Sequence, residues 1–211
     1  MMKRPVARML LVTFTIYALV LGSTPAPVRA CTGIRLTAAD GTVVHARTLE
    51  FAIDIKSDVI MIPRGFSMTG TTPDGKEGLK WSQQYAAVGA NALGLPVIID
   101  GLNEKGLAVG VFYFPGVAKY QDYKPSDAGI TLAPWELGAW LLGSFAAVEE
   151  VTQNISKVRV ANVVFKAWGF VPPVHYVVHD ASGKSIVLEY VNGKLNVHLG
   201  APDGTEVRAA L

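Results

Sequence analysis

The chain has 211 residues, of which 50% are hydrophobic and 17% are charged, and it contains a single cysteine. The high apolar content and low charge exclude a disordered chain, and one cysteine excludes an internal disulfide framework or a multi-cysteine zinc site. The length predicts one domain, which leaves a folded enzyme or a folded binding domain.

The first 30 residues have the pattern of a secretory signal peptide. Basic residues come first, an uncharged apolar run over residues 10–22 follows, and a polar stretch with prolines ends at Ala30. The run has 13 residues, fewer than the roughly 20 that cross a bilayer, so no stable membrane span is expected after cleavage. We therefore predict a signal peptide over 1–30, a mature domain over 31–211, and a secreted or periplasmic bacterial protein.

The basic excess of the whole chain lies in this predicted signal peptide. Without it, 15 basic residues stand against 17 acidic ones. No stripe of Lys and Arg with interleaved aromatic residues remains, so we expect no nucleic-acid partner.

Cys31, the single cysteine, directly follows the predicted cleavage site. Cleavage would place a free α-amino group beside its thiol, and this combination supplies a nucleophile and a general base in one residue. Two other roles stay open here: a buried structural thiol, or a lipoprotein cysteine that is acylated after export. Arg29 is unfavourable for lipoprotein processing.

The residues that follow Cys31 predict a β-hairpin with its turn at Asp40-Gly41. The returning strand would bring Arg47 and Glu50 back towards Cys31. A cation beside the thiol favours the thiolate, and a carboxylate can hold the α-ammonium group. Taken alone, each of these charges would be an ordinary exposed strand residue.

Apolar, β-branched or aromatic runs between glycine and proline signals predict further strands over 58–62, 85–88, 97–100 and 107–113. Residues 70–78 are predicted to form a surface loop.

Two helices and a β-meander are predicted next. Pro134 can open a helix that runs through residue 142, and Ser144 can cap a second helix with apolar residues at helical spacing, namely Phe145, Val148, Val151 and Ile155. The meander strands are 175–179, 185–190 and 194–198. His175 and His179 then share one strand face, and without a third ligand they indicate no metal site.

Together these residues resemble the choloylglycine hydrolase and penicillin V acylase family of N-terminal-nucleophile amidohydrolases. The resemblance covers roughly residues 31–198 and rests on motifs in the family's order: CTG at 31–33, RTLEF at 47–51, PRG at 63–65, DGLNEKGL at 100–107 and FPG at 114–116. It implies an α+β fold, a four-layer αββα sandwich.

The resemblance also implies roles for three residues and shows a variation at a fourth, Glu50. Cys31 would be the nucleophile, Arg47 its neighbouring cation and Asn103 a contributor to the oxyanion site. Glu50 stands where bile-salt-hydrolysing members carry aspartate. From the residues alone, Asn103 is also interpretable as a turn residue between two strands.

The implied function is hydrolysis of a small-molecule linear amide through a thioester on Cys31, with no cofactor. The implied substrates are phenoxyacyl penicillins, conjugated bile salts or N-acyl homoserine lactones. The family continues after the strand matching 194–198 into a Thr-Asn-Xaa-Pro segment and a later arginine, which do not follow here. We therefore expect a C-terminally truncated member with an incomplete sandwich, weak activity and association into homo-oligomers. An inactive family member and a lipoprotein binding domain acylated on Cys31 are the alternatives.

Overall fold

The computed structural model describes residues 31–51 and 53–200. Its strands are β1 (Gly33–Thr37), β2 (Val43–Arg47), β3 (Val59–Ile62), β4 (Ser67–Thr71), β5 (Glu77–Ser82), β6 (Ala87–Ala90), β7 (Asp100–Asn103), β8 (Ala108–Tyr113), β9 (Thr131–Leu132), β10 (Arg159–Val160), β11 (Val174–His179), β12 (Ser185–Val191) and β13 (Lys194–Leu199). Its α-helices are α1 (Leu137–Ser144) and α2 (Val148–Asn154), with 3₁₀ turns at Pro125–Ile130, Pro134–Glu136 and Ile155–Lys157.

A seven-stranded antiparallel sheet in the order β13-β12-β11-β8-β7-β6-β3 forms the centre of the fold. Three smaller pairs accompany it: the β1–β2 and β4–β5 hairpins and the short parallel pair β9–β10. Strands and helices occupy separate stretches of the chain, so the predicted α+β class is confirmed.

The two faces of the main sheet have different coverings, because side chains alternate along each strand. Val109 and Val111 of β8 face α1, where a Cβ placed on Gly138 would lie 3.8 and 3.5 Å from them. Phe112 points to the other face, where a Cβ placed on Gly33 of β1 would lie 2.8 Å from its ring. The helices therefore pack on one face and the β1–β2 hairpin on the opposite face.

The hairpin after Cys31 is confirmed, with Gly33 opposite Arg47. Its turn contains Gly41 at φ 86°, and the Asp40 carboxylate accepts a hydrogen bond of 2.9 Å from the Thr42 amide. The C-terminal meander is also confirmed as β11, β12 and β13. Alternating apolar residues and glycine-containing turns specify these elements locally.

The predicted strand over 97–100 is wrong, because the strand in this region is β7. A Cβ on Gly101 would lie 2.5 Å from the Val88 carbonyl oxygen, and one on Gly89 would lie 2.4 Å from the Asp100 carbonyl oxygen. In the sequence these glycines suggest a turn, but Gly89 and Gly101 instead allow β6 and β7 to approach closely.

Residues 70–78 are not wholly a loop, because β4 and β5 extend into this segment from both sides. A Cβ on Gly70 or Gly78 would lie 2.6 or 2.4 Å from the Thr131 carbonyl oxygen. The glycines therefore serve close packing of the hairpin against the following chain.

The predicted cap at Ser144 is also wrong, since this residue ends α1 and Ala147 precedes α2. The first amide of α2 is satisfied from a distant turn, where Asp180 Oδ2 accepts a hydrogen bond of 3.0 Å from Val148. Asp180 also accepts hydrogen bonds within its own turn from Ser182 and Lys184. The carboxylate of Asp180 thus takes the place of a local cap. Spacing in the sequence does not reveal such a distant partner.

The hairpin covers only part of its face of the main sheet. Val59 and Met61 of the edge strand β3 lie 80% and 73% exposed, and cross-strand pairing places Met61, Val88 and Leu102 in one row. Exposed apolar rows beside an unpaired strand edge promote association. In the described residues, no helix is long and apolar enough to span a membrane.

We predict that replacing both Val59 and Met61 with lysine reduces self-association, because charge on an edge strand opposes edge-to-edge pairing. Light scattering during size-exclusion chromatography measures the effect. Val117→Lys, at an exposed loop position, serves as the control and should leave association unchanged. Identical oligomer distributions for the double variant and the unmodified protein would show that this surface does not drive association.

Candidate active site

Cys31 lies where the β1–β2 hairpin meets the main sheet and is only 4% exposed. The Thr48 amide donates to the Thr32 carbonyl at 2.9 Å, and the Thr32 amide donates to Thr48 Oγ1 at 2.9 Å. The thiol of Cys31 is 3.8 Å from the Glu50 carbonyl oxygen. The segment after β2 thus fixes the position of the cysteine.

Arg47 joins the end of the hairpin to the main sheet. Its Nη1 donates to the carbonyl oxygens of Val111 at 2.6 Å and Ile99 at 3.2 Å. Its Nε donates to the carbonyl oxygen of Thr48 at 3.2 Å. Its guanidinium carbon lies 4.2 Å from the centre of the Phe112 ring, a cation–π contact. Its Nη2 is buried and has no hydrogen-bond partner in the described part of the chain.

Cys31 and Arg47 line one pocket of about 90 Å³. The rest of its wall is apolar or aromatic: Leu49, Phe51, Ile55, Ala92, Leu93, Leu95, Val97, Ile99, Val111, Tyr113, Trp135, Phe165, Trp168, Pro172 and Val174. A thiol and a half-buried cation beside such a wall suit a substrate with an apolar group next to a polarised carbonyl.

Glu50 lies beside this pair through its backbone. Its carboxylate is exposed and accepts a hydrogen bond of 3.0 Å from the Thr48 hydroxyl. The carboxylate therefore orders the segment after β2 that contacts Cys31.

Asn103 is not brought to the pocket, and its contacts contradict the expected oxyanion role. Its Nδ2 donates to the carbonyl oxygens of Leu142 at 2.8 Å and Phe145 at 2.7 Å. Its Oδ1 accepts from the amides of Lys105 at 2.9 Å and Leu107 at 3.1 Å. Both amide hydrogens are thus used to tie the β7–β8 turn to the end of α1, as the turn interpretation requires.

Tyr113 lines the pocket but was not among the predicted site residues. Alternation along the strand predicted over 107–113 places it on the same face as Val111, and this is the signal that finds it. The other aromatic residues of the wall come from distant segments, which periodicity does not connect.

His175 and His179 share the hairpin face of β11, as predicted for a strand. All four of their ring nitrogens lack hydrogen-bond partners in the described part of the chain. The ring of His175 stacks on Phe112 with centroids 5.6 Å apart, and the ring of His179 lies 5.1 Å from that of His45. His45 in turn contacts Asp100 at 2.8 Å. No group of three metal-ligating side chains occurs among residues 31–51 and 53–200.

Comparison with known proteins gives a consistent assignment. Residues 31–204 match the family model of linear amide C–N hydrolases, choloylglycine hydrolase family. An uncharacterized protein of Paramecium bursaria Chlorella virus 1 is 38% identical over 79% of this chain and 52% of its own length. A bile salt hydrolase/transferase of Lactiplantibacillus plantarum is 32% identical over 72% of this chain and 45% of its own length.

Solved structures agree with this match. A variant of the conjugated bile acid hydrolase from Clostridium perfringens has a TM-score of 0.70 and 26% identity, covering 82% of this chain and 52% of that one. The penicillin V acylase from Agrobacterium tumefaciens has a TM-score of 0.67 and 26% identity, covering 82% and 50%. The chain belongs to the choloylglycine hydrolase family of linear amide C–N hydrolases, which confirms the resemblance. It spans about half the length of the curated relatives that it matches.

We predict that Arg47→Met lowers the free energy of unfolding by about 3 kcal/mol, because hydrogen bonds from a charged donor to buried carbonyls contribute about 1.5–3 kcal/mol each. Urea unfolding measures the loss. Arg64→Met is the matched control, since Arg64 is exposed and pairs with Glu104 at the surface, where ion pairs contribute little. A similar small change in both variants would contradict the proposed attachment of the hairpin.

We also predict that stability falls on acidification. Burial, followed by the charge of Arg47, lowers the pKa of His175 to about 4. Burial, followed by His45 and Arg35 and opposed by Asp180, lowers the pKa of His179 to about 4.

Unfolded histidines titrate near 6.5, so the unfolded chain binds more protons than the folded chain between pH 6.5 and 4. Stability is therefore fully present above pH 6.5 and is lost towards pH 4, by about 3 kcal/mol for each of the two histidines. Urea titrations of His179→Leu should show a flatter pH profile. The control is His198→Gln, because the His198 side chain is 57% exposed; this variant should keep the pH profile of the unmodified protein. A pH profile unchanged by His179→Leu would refute the assignment.

Proposed function

We propose that Cys31, freed by cleavage after Ala30, is the nucleophile of a linear amide hydrolase. The single observation that supports this most directly is the placement of the cysteine beside Arg47 in a predominantly apolar pocket. Membership of a linear amide C–N hydrolase family supports the reaction class.

The first half of the proposed reaction forms a thioester. The α-amino group of Cys31 takes the thiol proton, and the thiolate attacks the carbonyl carbon of the amide. The resulting tetrahedral intermediate collapses as the C–N bond breaks. The leaving amine receives the proton from the α-ammonium group, and the acyl group stays on sulfur.

The second half releases the acid. The α-amino group, again neutral, takes a proton from water, whose oxygen attacks the thioester carbonyl. The C–S bond breaks, the acid departs, and the proton returns to the thiolate. Every proton in the cycle is handled by Cys31 itself, so the mechanism uses no cofactor.

Arg47 is the oxyanion donor that the geometry favours. Its Nη2 carries buried N–H groups without a partner among the described residues, and Arg47 lines the same pocket as Cys31. Its other donors are fixed on backbone carbonyls, so the guanidinium is held in place before substrate binds. Preorganised donors of this kind contribute most to acyl-transfer catalysis. Asn103 has no N–H left for this role.

The proposed substrates are small amides with an apolar acyl group. Relatives named bile salt hydrolase/transferase, conjugated bile acid hydrolase and penicillin V acylase make conjugated bile salts and penicillin V the first compounds to assay, with N-acyl homoserine lactones beside them. We propose that the protein acts after export, in the periplasm or outside the cell.

We predict that iodoacetamide alkylates exported protein, which begins at Cys31, faster than precursor that retains residues 1–30. Only the former has the free amine beside the thiol. Mass spectrometry of timed samples at neutral pH measures the rates. Equal rates would remove the α-amino group as the base, and a diacylglyceryl group on Cys31 would instead establish a lipoprotein.

Hydrolysis provides the second test. Cys31→Ser should abolish release of the acid from penicillin V or a conjugated bile salt, and Arg47→Met should reduce it by about 10²–10³-fold, the usual cost of losing one oxyanion donor. Glu104→Gln, on the exposed surface away from the pocket, is the control and should retain activity. Undiminished hydrolysis by Cys31→Ser would overturn the proposal.

A further inference from the structure

The wall of the Cys31 pocket contains a continuous series of aromatic side chains, here called the aromatic wall: Tyr113, Phe51, Trp168, Phe165 and Trp135. Successive ring centroids are 5.5, 5.4, 5.2 and 5.0 Å apart. Each member also lines the pocket, so the series forms its inner surface.

Trp168 is the central member of the aromatic wall. Its ring stacks on Phe51 at an interplanar angle of 25° and meets Phe165 edge to face at 76°. Phe51 directly follows Glu50, whose carbonyl oxygen lies 3.8 Å from the Cys31 thiol. Trp168 therefore packs directly on the part of the chain that holds the nucleophile.

The loop over 165–170 presents Trp168 in a fixed orientation. The Phe165 amide donates to the Phe170 carbonyl at 3.0 Å, and the amides of Trp168 and Gly169 donate to the Phe165 carbonyl at 3.0 and 2.9 Å. Gly169 adopts φ 72°, a conformation that favours glycine. Phe170 stacks on Trp168 with centroids 5.6 Å apart, yet it does not line the pocket.

The pocket that Trp168 lines is small and mostly apolar. Its volume is about 90 Å³, and among the described residues that line it Arg47 alone is charged. A dry apolar cavity of about 150 Å³ holds one benzene molecule. The pocket is smaller than such a cavity, so it accepts a short alkyl group or at most one ring near the thiol. A second ring would meet the aromatic wall.

From this geometry we propose that Trp168 is a specificity-determining residue: it limits the acyl group that reaches Cys31 to at most one flat aromatic ring. The inference rests on the proposed function, because it assumes that the acyl group enters the pocket beside the nucleophile. Among the proposed substrates it favours penicillin V, whose acyl group carries one ring, over conjugated bile salts, whose acyl group is a steroid acid of four fused rings. Shortening the side chain at position 168 opens the wall and admits larger acyl groups.

Chloromethyl ketones of graded size test this proposal on exported protein with Cys31 at its N-terminus. The thiolate forms a C–S bond to the methylene carbon and chloride leaves, so mass spectrometry of the first peptide reports the rate. One reagent carries a phenoxymethyl group and the other a 4-phenylphenoxymethyl group. Iodoacetamide reports the intrinsic reactivity of the thiol.

The unmodified protein should react about tenfold or more faster with the one-ring reagent, since a group too large for a packed pocket loses at least this much. Trp168→Ala should bring the two rates to within about threefold, whereas Trp168→Phe should keep the preference. Phe170→Ala is the matched control, because it removes a stacked ring from the same loop outside the pocket.

Three outcomes would overturn the proposal. Normal iodoacetamide labelling with a size preference unchanged in Trp168→Ala would overturn this inference and leave the proposed function standing. Equal loss of preference in Phe170→Ala would assign the effect to the loop and not to the wall. Failure of iodoacetamide to label Cys31 would overturn the proposed function and this inference with it. If Trp168→Ala does not unfold cooperatively, Trp168→Leu provides the same comparison with a smaller cavity.

Discussion

The attachment of the N-terminal hairpin to the main sheet by Arg47 is the constraint on which the site depends. Its guanidinium donates to Val111 and Ile99 and lies on the Phe112 ring. These contacts fix the end of β2, and the adjoining Thr32–Thr48 hydrogen bonds then fix Cys31. One side chain therefore links the position of the thiol to the rigid part of the fold, and the same residue lines the pocket.

The unequal coverage of the main sheet explains where polar and apolar groups lie. One face packs against α1 and α2 and is filled by aliphatic and tyrosine side chains. The opposite face holds Phe112, His175 and His179 beneath the hairpin, and its outer strands expose Val59 and Met61. The Cys31 pocket brings together the hairpin, the end of β8 and the loop over 165–170. The proposed reaction would thereby take place in an environment of low polarity, where a guanidinium acts strongly on a developing oxyanion.

Local patterns in the sequence predicted the hairpin and the meander, because turn glycines and alternating strands act over a few residues. They placed β7 incorrectly, because Gly101 serves close strand packing and not a turn. They brought Cys31 and Arg47 together, whereas the family resemblance gave Asn103 a role that its contacts with Leu142 and Phe145 exclude. Local patterns could not predict the aromatic wall, since its members are separated by long stretches of chain and meet only through tertiary packing.

The central claim, that Cys31 forms a thioester with the acyl group of an amide, is tested most directly by trapping that intermediate. Exported protein is mixed with penicillin V, quenched in acid within its first turnovers, digested and examined by mass spectrometry. A phenoxyacetyl group is expected on the peptide that begins with Cys31. Release of phenoxyacetic acid with the acyl group on another residue, or with no acyl group on this peptide at any time, would contradict it.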